Sequence, residues 1–151
     1  MRISYKGDYA LKAMLELSLK YEQGEAIAIN EIAASGDMPE NFLEQILLTL
    51  KKGGFVKSKR GINGGFYLAK APAEITVGEV IRFIEGTIEP ISCVEEGYKG
   101  CKDIKNCILR DMWKEVGRAI SLVVDTMTFE ELAIRYKERT LNLRPNYEYS
   151  I

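Results

Sequence analysis

The sequence predicts a mainly α-helical fold with a small β-hairpin wing: a winged helix-turn-helix domain followed by a long C-terminal dimerisation helix. Three observations carry this. Two apolar-faced helical segments lie either side of the short turn "GDMP", which is helix-turn-helix punctuation. Two strand-like runs around "RGINGG" follow at once, as a wing would. From Ile108 a helical pattern then persists for about five turns, and so broad an apolar stripe in a small protein calls for a partner surface.

Each element has a local reason. Residues 4–22 place Ala10, Leu11, Met14, Leu17 and Tyr21 on one face of a first helix, broken by Gly24. "INEIAAS" reads as a short second helix capped by Asn30 and stopped near Gly36. The third is expected to carry Pro39 in its first turn, with Asp37 just upstream as a capping candidate. Its expected apolar face is Phe42, Leu43, Ile46, Leu47 and Leu50, and Gly53-Gly54 ends it. Strands are expected over Phe55–Lys59 and Phe66–Ala69, joined by residues that tolerate positive φ. "TVGE" at Thr76–Glu79 matches a capping box and opens a helix through about Glu85. The long helix carries Leu109, Met112, Trp113, Val116, Ile120, Val123 and Met127, with Ile108, Ala119 and Val124 widening the stripe. Thr128 and Glu131 form a second capping box, for a last helix through about Arg139.

Composition narrows the function. With 46% apolar and 28% charged residues the chain is globular rather than disordered. No apolar run is long enough to span a bilayer, so no membrane partner is expected. The N-terminus lacks the layout of a signal peptide, so the expected location is cytoplasmic, where thiols stay reduced. Histidine is absent, which removes histidine acid–base catalysis, Ser-His-Asp and Cys-His pairs, and histidine metal ligands. "GINGG" sits in a hairpin rather than between a strand and a helix, so it is no phosphate loop. Neither an enzyme nor a small-molecule substrate is expected.

A net charge of -1 gives no overall nucleic-acid signature, so DNA binding must rest on a local patch. From Pro39 to Arg60 the acids Glu40 and Glu44 are outnumbered by Lys51, Lys52, Lys57, Lys59 and Arg60. Such clusters hold phosphates, whereas polar side chains near the start of a recognition helix read base edges. Asn41, Glu44 and Gln45 stand there; glutamine can pair with adenine and glutamate can accept from cytosine. A solvated rim on an ordinary hairpin would show the same charge. The order of helix-turn-helix and wing favours double-stranded DNA as the partner.

Every cysteine, Cys93, Cys101 and Cys107, falls within "CVEEGYKGCKDIKNC". An odd count argues against a closed disulfide framework. The C-x7-C-x5-C gaps are wider than those of structural zinc, which would also need a carboxylate as fourth ligand. Glu95, Glu96, Lys99, Lys102, Asp103 and Lys105 make the loop a poor core segment. A reversible disulfide needs only two of the thiols and stays open. An iron–sulfur cluster fits better, since thiolates are its preferred ligands and a glycine-bearing loop can wrap it.

Taken together, "MRISYKGDYALKAMLELSL", "NFLEQILLTLKKGGFVKSKRGINGGFYLAK", "ITVGEVIRFIEG" and the three-cysteine loop before a long helix resemble the Rrf2 family of transcription regulators. The likeness covers nearly the whole chain and is to the branch that includes the iron–sulfur regulators called IscR and NsrR. The resemblance implies a homodimer with crossed C-terminal helices. It implies a 2Fe–2S or 4Fe–4S cluster on Cys93, Cys101 and Cys107, beside the partner's DNA-binding domain, with cluster state altering DNA affinity. It makes Asn41, Glu44 and Gln45 base-contacting residues and Arg60 the wing arginine of the minor groove, while Lys57 and Lys59 are the phosphate candidates of the charge reading.

The fourth ligand departs from one pattern. IscR-like members use a histidine three residues after the last cysteine, where this chain has Arg110. NsrR-like members use an aspartate of the partner's first helix, and Asp8 stands at that position. An aspartate there also suits the helix dipole with no metal. The expected organisation is a winged helix-turn-helix DNA-binding domain (1–75), a connecting helix and cluster-binding loop (76–107), and the long dimerisation helix with the C-terminal helix (108–151). The alternative is a regulator of the same fold controlled by thiol redox or a protein partner, without a cluster.

Overall fold

Ser4 starts the fold: its hydroxyl accepts from the Gly7 amide at 3.1 Å and caps helix α1, Tyr5–Leu19. The computed structural model describes residues 2–143. After α1 come α2 (Ile29–Gly36), α3 (Glu40–Lys52), strands β1 (Val56–Lys59) and β2 (Gly65–Leu68), α4 (Val77–Glu85), α5 (Ile108–Thr126) and α6 (Phe129–Asn142). Residues 144–151 of the expected C-terminal segment lie outside the described residues. The architecture is the mainly helical one expected, with a single antiparallel hairpin among the described residues.

α1 is the hub. It packs against α2, α3, α4 and α6, and its fully buried Ala10 and Ala13 let those helices approach closely. Around them lie Met14, Leu17, Ile32, Leu43, Ile46, Leu47, Leu50 and Val56. Val80 of α4 and Phe129 of α6 complete the same cluster. Burying a side chain such as Phe129 completely stabilises the fold by roughly 1.5–3 kcal/mol.

Several local expectations are corrected by tertiary contacts. Tyr21 lies beyond α1, in a short 3-10 turn over Tyr21–Gln23. Asn30 does not cap α2: the cap is Ala28, without a side-chain bond. The reason is the preceding residue. Ile27 bridges to Phe66, with Ile27 N–H to Phe66 O and Phe66 N–H to Ile27 O both at 2.9 Å, so the helix starts directly after that bridge. Asp37 does not cap α3 either. It ends α2 in the left-handed conformation, φ 50° and ψ 52°, which aspartate tolerates better than most residues. Pro39 is therefore the N-cap of α3 rather than part of its first turn.

Phe42 leaves the expected apolar face. It is 46% exposed and its ring meets that of Tyr9 edge-on, 5.8 Å between centroids. The Thr76–Glu79 box forms in full, with Glu79 N–H to Thr76 Oγ1 at 3.2 Å and Thr76 N–H to Glu79 Oε2 at 2.8 Å. At Thr128 one limb forms, from Glu131 N–H at 3.1 Å, while the Glu131 carboxylate pairs with Arg135.

The hairpin pairs Val56 with Leu68 and Lys59 with Gly65. It is fixed to the body twice: by the Ile27–Phe66 bridge, and by Lys51 Nζ of α3 donating to Ser58 Oγ of β1 at 2.6 Å. α5 meets the body through α4, where Arg82 forks onto Asp125 and also donates to Ser121 Oγ at 3.2 Å. The hydrogen bonds from Arg82 hold the Asp125 carboxyl below its ordinary range. Gly117 alone of the α5 residues is buried. No helix among the described residues is long and apolar enough to cross a membrane.

Candidate DNA interface and cysteine loop

α3 divides its residues by helical period. Leu43, Ile46, Leu47 and Leu50 are buried, while Asn41, Glu44 and Gln45 are exposed. The last three thus share the solvent face and stand in the first half of the helix, where base-reading side chains belong. β1 divides by the strand period of two: Val56 is buried, Lys57 and Lys59 are exposed. Arg60 follows, exposed, at the start of the wing turn. α3 touches β1 directly, so helix and wing form one unit with exposed cations along it. Lys51 is the exception within the basic run, since its amine is bonded to Ser58.

The sequence reading missed an aromatic cluster beside this face. Tyr5 and Tyr9 lie 6.2 Å apart on α1, and Tyr9 meets Phe42 of α3. With Pro39 and Asn41 they line an open, apolar cleft of about 480 Å³. The i, i+4 spacing of Tyr5 and Tyr9 was the available signal.

The cysteine loop runs from α4 to α5. Cys93 lies in a short 3-10 turn over Ser92–Val94 and is half-buried; Cys101 is exposed; Cys107 is the N-cap of α5 and half-buried. All three are free thiols. The donor chemistry suits an iron–sulfur cluster, which takes soft thiolates. The geometry is not yet a cage: among the described residues no three Cys, Asp or Glu side chains are gathered closely enough to hold a metal ion. Asp8 lies in the first turn of α1, half-exposed, and its carboxylate pairs with Lys12 at 2.7 Å. That hydrogen bond is the main reason the Lys12 ammonium is held above its ordinary range. Among the described residues Asp8 joins no group of three such side chains that could hold a metal ion.

Position 110 supplies a contact that the sequence reading did not anticipate. Arg110 Nε donates to the backbone oxygen of Cys93 at 2.7 Å.

Known proteins share this layout. The chain matches the Rrf2 family, described as an iron-dependent transcriptional regulator, over residues 3–135. An Rrf2-like helix-turn-helix-type transcriptional regulator of Rhodobacter capsulatus is 38% identical over 136 residues, 86% of this chain and 91% of the relative. The structure of CymR, the global cysteine regulator of B. subtilis, superposes with a TM-score of 0.76 at 35% identity, covering 89% of this chain and 98% of that one. IscR of T. potens gives a TM-score of 0.74 at 29% identity, covering 92% and 90%.

Proposed function

The chain belongs to the Rrf2 family of transcriptional regulators, and we propose that it is a cytoplasmic homodimer whose affinity for operator DNA is set by an iron–sulfur cluster. The observation that carries this is the placement of three free thiols on one polar loop between α4 and α5. The family is one of regulators, not enzymes, and DNA binding needs no further chemistry from the chain than side chains that hold phosphates and read bases.

In this reading Asn41, Glu44 and Gln45 contact base edges, Lys57 and Lys59 hold phosphates, and Arg60 enters the minor groove. Cys93, Cys101 and Cys107 hold a 2Fe–2S or 4Fe–4S cluster, and Asp8 of a second subunit is the candidate fourth ligand. To serve so, Asp8 gives up its pairing with Lys12. A bound cluster supplies a centre that responds to electrons and to competing ligands. The second subunit is supported by α5, on which Ile108, Leu109, Met112, Val116, Leu122 and Val123 are exposed in the protomer. An apolar stripe of that length is what a dimer interface covers.

A second reading has its own support. Cys101 is exposed and free, and a structural neighbour is named as a global cysteine regulator. In that reading thiol oxidation or a protein partner controls the same fold without a cluster. Anaerobic purification separates the two. Cluster control predicts visible absorbance with bound iron and sulfide, lost in each of Cys93→Ala, Cys101→Ala and Cys107→Ala. A colourless protein whose DNA affinity follows thiol oxidants selects the second reading, and a colourless protein carrying stoichiometric zinc defeats the cluster reading.

A further inference from the structure

We propose that Arg110 is a positioning residue for the cysteine loop: its side chain ties the Cys93 end of the loop to the first turn of α5 and sets a fixed positive charge beside Cys93. The charge part of the proposal rests on the cluster reading above; the anchoring part does not.

Arg110 donates two hydrogen bonds to the cysteine segment. The Arg110 side chain donates from Nε to the Cys93 carbonyl at 2.7 Å, across 17 positions of sequence. The Arg110 backbone N–H donates to the Cys107 carbonyl at 3.2 Å, within the opening turn of α5. The side chain therefore holds the Cys93 end, while the main-chain bond belongs to the opening turn of α5 that Cys107 caps. The chain leading into the loop is seated on α5 at a second point. A Cβ at Gly117 would lie 2.5 Å from Glu89 Oε2 and 3.4 Å from Pro90 Cδ, so that segment lies directly against this face of α5. Gly117 and Arg110 are about two helical turns apart. The segment from Glu89 to Cys93 thus lies beside α5, and Cys101 is exposed near the middle of the remaining residues 95–106.

The charge follows from what Arg110 lacks. It is half-buried and takes part in no salt bridge among the described residues. Arginine stays protonated and presents several N–H groups. A guanidinium there favours a negatively charged group on the three thiols. Reduction potentials of such groups depend on nearby charge and hydrogen bonds.

Two measurements on the full chain test this. The first is amide exchange of the cluster-free protein. Arg110→Ala should speed exchange at Val94 and Glu95, whose N–H groups close the Ser92–Val94 turn, by about tenfold, as expected for loss of one charge-assisted hydrogen bond. The second is the midpoint potential of the anaerobically loaded protein. Arg110→Gln and Arg110→Ala should make the cluster harder to reduce, and Arg110→Lys should restore a value close to wild type. Unchanged exchange in Arg110→Ala overturns the anchor. A potential that does not move, or that Arg110→Lys fails to restore, overturns the charge role. Wild-type protein that takes up no iron sinks the cluster reading and the charge role together, and the exchange result then decides the anchor alone.

Discussion

Replacing Gly65 by alanine should detach the wing. Gly65 opens β2 at φ +151°, and a Cβ there would meet the Ile27 carbonyl oxygen at 2.1 Å and the Ala28 nitrogen at 2.8 Å. Both obstacles are backbone, so neither can swing aside. Relief requires β2 to move off the Ile27 bridge, losing the two 2.9 Å bonds between Ile27 and Phe66. Each such bond is worth about 0.5–1.5 kcal/mol net, and a side chain forced into a glycine-only conformation costs about 1–3 kcal/mol. Together the two effects come to about 2–6 kcal/mol. Gly54 is the control: it also has positive φ, +76°, but a Cβ there meets nothing within 4 Å, so Gly54→Ala should cost only about 1–2 kcal/mol. Urea unfolding of the two variants gives the difference directly. DNA affinity should fall in Gly65→Ala more than in Gly54→Ala, because the basic residues of the wing lose their fixed position beside α3. Equal stability of the two variants would refute the view that the Ile27 bridge fixes the wing.

Other consequences are as definite. Arg60→Ala should weaken DNA binding, and Gln45→Ala should relax sequence preference by about 1–3 kcal/mol for a lost base contact. Lys57→Ala and Lys59→Ala should each lower the slope of affinity against salt by about one; binding indifferent to salt would defeat the basic-face argument. Val116→Glu places a carboxylate on the exposed stripe of α5; burying it unpaired costs several kcal/mol, so sedimentation should show dissociation, and an unchanged dimer would place the interface elsewhere. The Arg82–Asp125 pair holds the Asp125 carboxyl low, so its stabilisation is present above the ordinary carboxylate range and is lost as pH falls through the lowered value. Its side chains are 39% and 43% exposed, which limits the effect to about 1 kcal/mol or less. The stability gap between wild type and Asp125→Asn should therefore be small near neutrality and close in acid.

What the sequence made legible follows a physical division. Apolar period is a local property, and it placed α1, α3 and α5 and most of the core. The Thr76–Glu79 box was readable because both partners lie within one turn. Asn30 and Asp37 were misread as caps because a contact distant in sequence, the Ile27–Phe66 bridge, sets where α2 begins, and a left-handed Asp37 sets where it ends. Phe42 and Leu43 are adjacent and both apolar, so spacing alone could not say that only Leu43 enters the core. In the site, the face of α3 and the cations of the wing could be read from residue type and order. The Arg110–Cys93 bond could not, because nothing local to Arg110 announces an acceptor 17 residues away.

Control by a cluster is tested most directly by one pair of titrations. The same preparation, cluster-loaded and cluster-stripped, is titrated at one salt concentration into a duplex that the protein itself selects from random sequence. Cluster control predicts two different Kd values for wild type and a single value for Cys101→Ala under both treatments. Equal Kd values for the loaded and stripped wild type would contradict it.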